Sequence, residues 1–399
     1  MAKRPFWILL IIVVSQFTGT SLWFASNAVL GDLQQQWALA NDVLGYMTSA
    51  VQAGFIAGTL TFAFFAISDR FSPRVIFFLC GLLGALANLS VYLFAEGFWS
   101  LLAFRFITGF FLAGIYPVGM QIAAGWYQKG LGRAIGFLTG ALVLGTALPH
   151  LLKSLGQDLP WEAVTVAVSG IAAFGGLLMF LLVPDGPYLV KGTKFDPRAL
   201  AVIFQSRLFR ASAFGYFGHM WELYAFWAFV PVVLAAYAAV NSQVSLNVSF
   251  WAFAVIGIGS LGCAGGGLFS LRLGSARVAF TQLTSSGVCC LVSPLLFFAP
   301  LPVFLAFLLF WGIAVVGDSP QFSALNAENA PRALVGSALT IATSIGFAIT
   351  IVSIQLLNYL ATFVQASYLF LPLAIGPLLG LISMAPLMRP EFAYDQVGR

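Results

Sequence analysis

Two acids and a histidine of this 399-residue chain stand inside segments that are otherwise almost wholly apolar. Glu222 lies near the middle of Ala211–Tyr237 with His219 one helical turn before it, and Asp318 stands in Gly317-Asp318-Ser319-Pro320-Gln321. A carboxylate in a bilayer core is costly unless it is paired, hydrated or protonated. Burial disfavours the charged form of each group and pairing restores it, so such groups suit proton uptake in one state and release in another. The spacing of His219, Glu222 and Phe226 places them on one helix face, and a Glu222–His219 pair is expected there. The alternative is a neutral hydrogen-bonded pair filling a polar gap. Pro320 cannot donate to the carbonyl of Val316, which leaves an acceptor beside Asp318.

Further polar groups recur in other apolar segments. Gln16, Thr20, Trp23 and Asn27 fall within an arc of roughly 60° on an ideal helix. Arg105, Gly109 and Tyr116 share a face, and Tyr116-Pro117 repeats the proline device seen after Asp318. Trp311, Asp318 and Phe322 form a fourth set, with Gln321 beside them. Arg105 would bind a carboxylate or phosphate bidentately, or neutralise an internal acid. Expected substrate contacts are therefore Arg105, Tyr116, Gln16, Thr20, Trp23, Asn27, Trp311 and Gln321. Expected proton-coupling groups are Glu222, His219 and Asp318. His150, after Pro149, and the small and hydroxyl residues from Gly336 to Thr350 read more simply as packing.

The elements that carry these groups must cross a membrane. The chain is 60% hydrophobic and 8% charged, with a mean hydropathy of +0.97, so the bilayer has to act as solvent. Runs of about 20 apolar residues can be read twelve times. Spans 1 to 6 are Trp7–Leu30, Val43–Ile67, Val75–Ala95, Phe98–Ala124, Arg133–Leu155 and Glu162–Pro184. Spans 7 to 12 are Ala211–Tyr237, Leu246–Ser270, Arg277–Ala299, Pro302–Ala324, Leu334–Tyr359 and Ala366–Leu387. The polar stripes then sit on spans 1, 4, 7 and 10. The expectation is an all-α membrane protein of twelve transmembrane helices in two pseudo-symmetric six-helix halves. Residues 1–184 form one bundle, 185–210 a cytoplasmic linker and 211–399 the other. Within the linker, Pro197–Arg210 mixes apolar and basic residues and suits the inner membrane surface or a plain tether.

Charge sets the orientation. All but two of the 18 basic residues, Arg105 and Lys153, fall in even-numbered loops or at the termini. By the positive-inside rule both termini are cytoplasmic. The net charge of +5 is thus topology, and no nucleic-acid partner is read from it. The apolar run after Met1–Arg4 is too long for a typical cleavable leader and is expected to be a retained helix. Cys80, Cys263, Cys289 and Cys290 all lie inside spans, with no metal spacing and no disulfide framework.

Two loop segments link the halves to one plan. Phe65–Arg74 (F-A-I-S-D-R-F-S-P-R) and Gly267–Ala276 (G-L-F-S-L-R-L-G-S-A) occupy the loop between the second and third span of each half. Together with the spans, they make the chain resemble the major facilitator superfamily along its whole length. The family's loop motif runs roughly Gly-x-x-x-Asp-Arg-x-Gly-Arg-Arg. The first copy keeps Asp69, Arg70 and Arg74 but has Phe65 and Ser72 at the glycine positions; the second keeps Gly267, Arg272 and Gly274 but has Leu271 at the acidic one. The resemblance implies that Asp69, Arg70, Arg74 and Arg272 latch the cytoplasmic ends. It also implies that spans 1, 4, 7 and 10 line a central cavity. Arg105 with Gly109 resembles a second family pattern. Gly136, Gly140, Gly145 and Pro149 lack the Gly-Pro pair of drug/proton antiporters, which argues against multidrug efflux.

The implied function is secondary active transport of a small organic solute by alternating access, since no Walker motif is present. A proton is the expected coupling ion, with sodium open because Asp318 and freed carbonyls could ligate it. One Arg against two acids suits a small organic anion entering with protons. It also suits an amphipathic cation leaving in exchange for them. An intramembrane enzyme lacks a recognisable catalytic set, and two histidines at different depths do not suit a haem. A passive channel would need no titratable switch. No cofactor and no metal is expected. The expected setting is a bacterial inner membrane, as a monomer.

Overall fold

A computed structural model describes residues 7–127, 130–156, 159–189, 195–243 and 245–388, and its regular structure is helical throughout. Among the described residues, eleven helical segments are long and apolar enough to cross a membrane, from Val43–Phe64 to Ala366–Met388. Span 1 departs from the expected continuous helix. It runs as Trp7–Thr20, turns, and resumes as Ala25–Ala28 and Leu30–Trp37. The 14 described residues of its first piece, at about 1.5 Å each, cover less than a hydrocarbon core about 30 Å thick.

Span 12 opens in 3-10 turns, Ala366–Tyr368 and Leu371–Ala374, before the α-helix Ile375–Met384, and three further spans divide into two α-helical pieces. Span 4 divides into Phe98–Leu112 and Tyr116–Trp126, span 8 into Val248–Gly257 and Gly259–Leu273, and span 10 into Leu301–Gly317 and Ser319–Asn329. Pro117 and Pro320 occupy the first turn of the second pieces, where the missing N–H has no intrahelical role. The Val316 carbonyl, expected to be left open by Pro320, accepts the Cys263 thiol at 3.4 Å.

The chain folds as two compact units. One comprises Met1–Gly192 and Leu246–Gly257, the other Thr193–Ser245 and Ile258–Arg399. In the first unit, spans 2 and 4 meet backbone to backbone. A methyl group on Gly54 or Gly58 would collide with the carbonyl of Phe106 or Phe110, and one on Gly109 with that of Val51. Span 1 beds on span 5 where Gly145 meets the Phe17 carbonyl and Thr20 hydroxyl, and on span 6 where Gly175 meets Thr18. Close backbone approach through small residues substitutes for the hydrophobic drive that lipid removes.

In the second unit, span 7 is one 34-residue helix, Arg207–Val240, capped by the Ser206 hydroxyl accepting from the Phe209 N–H. It packs on span 12 where Gly218 meets the Gly376 backbone, while Gly262 brings span 8 onto the Ile313 carbonyl of span 10. Of the expected linker, residues 190–194 lie outside the described residues. Ala199–Ile203 is a short helix that buries Ala199 and Ile203.

The two motif loops turn differently. The first leaves span 2 through Ala66 in the left-handed region (φ 51°), forms the short helix Ile67–Arg70, and is extended at Ser72. The second continues as helix to Leu273 and turns at Gly274 (φ 83°), a conformation glycine adopts without steric cost. Ser72 and Gly274 hold the same motif position, and only the copy with glycine turns there.

Candidate functional site

The second unit holds the acids. Glu222 is 1% exposed and is held by two neighbouring helices. Its Oε2 accepts the Ser286 hydroxyl at 2.9 Å, and its Oε1 accepts the Trp311 indole N–H at 2.7 Å and the Cys290 thiol at 3.4 Å. Ser286 also has the Leu283 carbonyl within reach at 3.2 Å. The hydroxyl proton therefore has two possible acceptors, and one of them is the carboxylate.

His219 pairs elsewhere than the sequence suggests. Its Nδ1 stands 2.8 Å from Asp318 Oδ1, so its acid partner is on span 10 rather than Glu222 on its own helix. The reason is the break in span 10. Asp318 ends one helix and precedes the next, with its own carbonyl accepting from the N–H groups of Gln321 and Phe322, and its side chain meets span 7 from there. The contact is one of ion-pair distance alone, since neither ring nitrogen of His219 and neither carboxyl oxygen of Asp318 has a hydrogen-bond partner among the described residues.

Aromatic rings enclose both acids. Trp311 lies 4.5 Å from Phe226, 5.4 Å from Phe307 and 5.3 Å from Phe370, centroid to centroid. The His219 ring forms a three-way cluster with Tyr216 and Phe322, with centroids 6.1, 5.8 and 6.5 Å apart. Gln321 is buried, with its amide nitrogen near Gly266 of span 8. The face carrying His219, Glu222 and Phe226 thus packs on spans 9, 10 and 12 of its own unit. The sequence reading missed Ser286 and Cys290; the only local signal was Ser285-Ser286-Gly287, a small polar run inside an apolar span.

In the first unit Arg105 is fully buried. One guanidinium nitrogen donates to Asn88 Oδ1 at 3.2 Å, the other to the Leu22 carbonyl at 3.1 Å and to that of Trp23. Among the described residues no acid pairs with it, the ion pairs being Lys153–Asp32 and His219–Asp318.

The interrupted span 1 also dissolves the expected single arc. The Gln16 carboxamide oxygen abuts Gly119 of span 4, Thr20 reaches the Leu142 carbonyl of span 5 at 3.5 Å, and Trp23 and Asn27 donate to Gln52 and Thr48 of span 2. Neither amide atom of Gln16 has a hydrogen-bond partner among the described residues. Tyr116 is half-buried at the start of the second piece of span 4. His150 is buried.

The motif loops lie at a distance from these groups along the helices. Arg70 and Arg272 are exposed, and the Arg74 guanidinium lies 5.8 Å from the centre of the Phe180 ring. The Asp69 side chain lies outside the described residues. The loop is tied by Ser72 to Asp185 at 2.7 Å and by Gln121 to the Ser68 carbonyl at 3.4 Å.

A helical bundle of apolar spans, with one buried acid at a helix break and another inside a continuous helix, defines an integral membrane protein. The sequence model of the Major Facilitator Superfamily matches residues 9–354, and the chain belongs to that family. The chain is 29% identical over 162 residues to a D-galactonate transporter of Escherichia coli O6:H1, and 28% identical over 180 residues to the niacin transporter NiaP of Acinetobacter baylyi. These matches cover 40% and 42% of this chain, and 37% and 38% of those relatives' lengths. Among solved structures, the human organic anion transporter MFSD10 superposes with a TM-score of 0.71 at 16% identity, over 96% of this chain and 100% of that one. The proton:xylose symporter XylE bound to 6-bromo-6-deoxy-D-glucose gives 0.74 at 14% identity, over 96% of each chain. At such identities the structures speak for the fold alone.

Proposed function

We propose that this protein is a proton-coupled secondary transporter of a small organic solute, preferentially an organic anion, working by alternating access. The observation that carries the reading is the His219–Asp318 contact at 2.8 Å, buried at a helix break beside a second enclosed acid. A proton added to or removed from such a contact changes whether charge is balanced in a medium where imbalance is costly. That makes the stability of one access state depend on proton occupancy. Glu222 is the second proton-carrying group, with Ser286 and Trp311 as the donors that release it or hold it. The names of the sequence relatives, a D-galactonate transporter and a niacin transporter, support the solute class.

Arg105 serves this reading differently from the sequence expectation. Its two terminal nitrogens are engaged by carbonyls and Asn88, which leaves only Nε without a partner among the described residues, so the preference for an anion rests on charge balance and on the relatives rather than on a two-pronged guanidinium clamp. Span 1 and Tyr116 are the proposed solute contacts. The motif arginines Arg70, Arg74 and Arg272 remain the proposed cytoplasmic latch, in an inner membrane with both termini inside.

The test is uptake of labelled D-galactonate and of nicotinate into proteoliposomes, with and without an imposed proton gradient. Accumulation that the gradient drives and an uncoupler abolishes supports the reading. Sodium-driven uptake that ignores the proton gradient would replace the coupling ion. Proton-driven loss of an aromatic cation from loaded vesicles, with neither acid taken up, would move the assignment to efflux.

A further inference from the structure

Span 1 loses its helical ladder after Thr20, and the residues there carry no proline. The Ser21 N–H turns back to the Thr18 carbonyl at 3.3 Å and the Trp23 N–H to that of Thr20 at 3.0 Å. The carbonyls of Leu22 and Trp23 are instead taken by Arg105. In a bilayer core each of those carbonyls would otherwise be an unsatisfied polar group. The guanidinium answers both at once, and its charge lies against the negative end of the helix dipole of Trp7–Thr20.

Arg105 is itself aimed. Its other nitrogen donates to Asn88 Oδ1, while the Asn88 amide nitrogen donates to Ser169 Oγ at 3.0 Å and to the Thr165 carbonyl at 3.4 Å. Spans 3, 4 and 6 therefore present one buried cation to the break in span 1. Within that break Trp23 bonds to Gln52, and just after it Asn27 bonds to Thr48. Those are the residues the proposed function assigns to the solute.

We infer that Arg105, oriented by Asn88, is a positioning residue that holds residues 21–24 out of helix and thereby sets where Trp23 and Asn27 stand. It acts through backbone carbonyls and does not contact solute. The inference uses the proposed assignment of span 1, yet the geometry of the break stands without it.

The experiment is amide hydrogen exchange by mass spectrometry on the full-length protein in lipid nanodiscs, with melting temperature recorded alongside. Wild type is compared with Arg105→Lys, whose ammonium is a single point donor, and with Asn88→Ala, which keeps the guanidinium but removes its guide. Arg207→Ala, at an exposed residue outside the proposed site and latch, is the control. A lost charge-assisted hydrogen bond corresponds to roughly ten- to hundredfold faster local opening. Faster exchange of about that size confined to residues 20–28, with the other spans unchanged, supports positioning. If Arg105→Lys does not fold, Asn88→Ala decides, with a rise of a fewfold expected over the same residues. Exchange at 20–28 equal to wild type in the folded variants, or a rise spread evenly over all spans with a lowered melting temperature, overturns the inference. The second outcome would make Arg105 structural only. Because no solute is involved, failure here is separable from failure of the uptake assay.

Discussion

The Trp311 indole N–H donates to Glu222 Oε1 at 2.7 Å, so the acid in the middle of span 7 is held by a side chain of span 10. The same ring stacks on Phe226, one turn beyond Glu222. Trp311 therefore couples the carboxylate to the aromatic packing of the unit, and a change in the charge of Glu222 is felt as a change in how two helices meet.

Trp311→Phe separates those two roles, since it keeps the ring and removes the donor. A carboxylate that loses one bond from an uncharged donor should cost about 1–3 kcal/mol. Trp311→Ala adds the loss of a buried ring, which typically costs about 3–5 kcal/mol. Thermal unfolding in detergent should rank wild type above Phe above Ala. Equal melting of the Phe variant and wild type would mean that the indole bond carries nothing.

Glu222→Gln keeps the shape and fixes the group in a neutral form, its amide oxygen still able to accept from Trp311 and its amide nitrogen able to donate to the Ser286 hydroxyl. Uptake driven by a proton gradient should be lost, and exchange of solute between equal pools should persist. Loss of both with the fold intact would make Glu222 a solute-binding residue. Counterflow and gradient-driven uptake in the same vesicles check this.

His219 and Asp318 should behave as a unit. Removing one partner of a buried pair is strongly destabilising, about 3–5 kcal/mol, whereas replacing both by neutral groups costs far less. His219→Gln and Asp318→Asn should each lower stability by more than the double variant does. The interaction energy of the double-mutant cycle is the quantity to measure, and a value near zero would dissolve the pair.

Gly109 meets the Val51 carbonyl directly, so Gly109→Val should force spans 2 and 4 apart and abolish the folded peak in size-exclusion chromatography. Gly31 has no atom within 4 Å of where a methyl would go. Gly31→Ala should leave the elution profile unchanged.

Much of the architecture was legible because it follows from local quantities. The length and polarity of a run decide whether it can cross a bilayer, and a proline decides where a helix cannot continue. The breaks before Pro117 and Pro320 could be read this way. The break in span 1 could not, since Thr20-Ser21-Leu22-Trp23-Phe24 carries no helix breaker and a guanidinium from span 4 sustains the opening. A uniform helix was assumed there, and the arc of Gln16, Thr20, Trp23 and Asn27 went with it.

By itself the sequence determined an all-helical, membrane-embedded fold with acids at Glu222 and Asp318 in its apolar interior, because burial of charge against composition is visible one residue at a time. Only the tertiary structure decided the partners. His219 meets Asp318 rather than its neighbour on the same helix, and Glu222 is held by Ser286, Cys290 and Trp311. Arg105 holds carbonyls rather than an acid. Spacing along one helix tells which side chains share a face, but which helix that face meets depends on close approaches such as Gly218 on Gly376 and Gly262 on Ile313. Those contacts join residues far apart in the chain, and no local pattern encodes them.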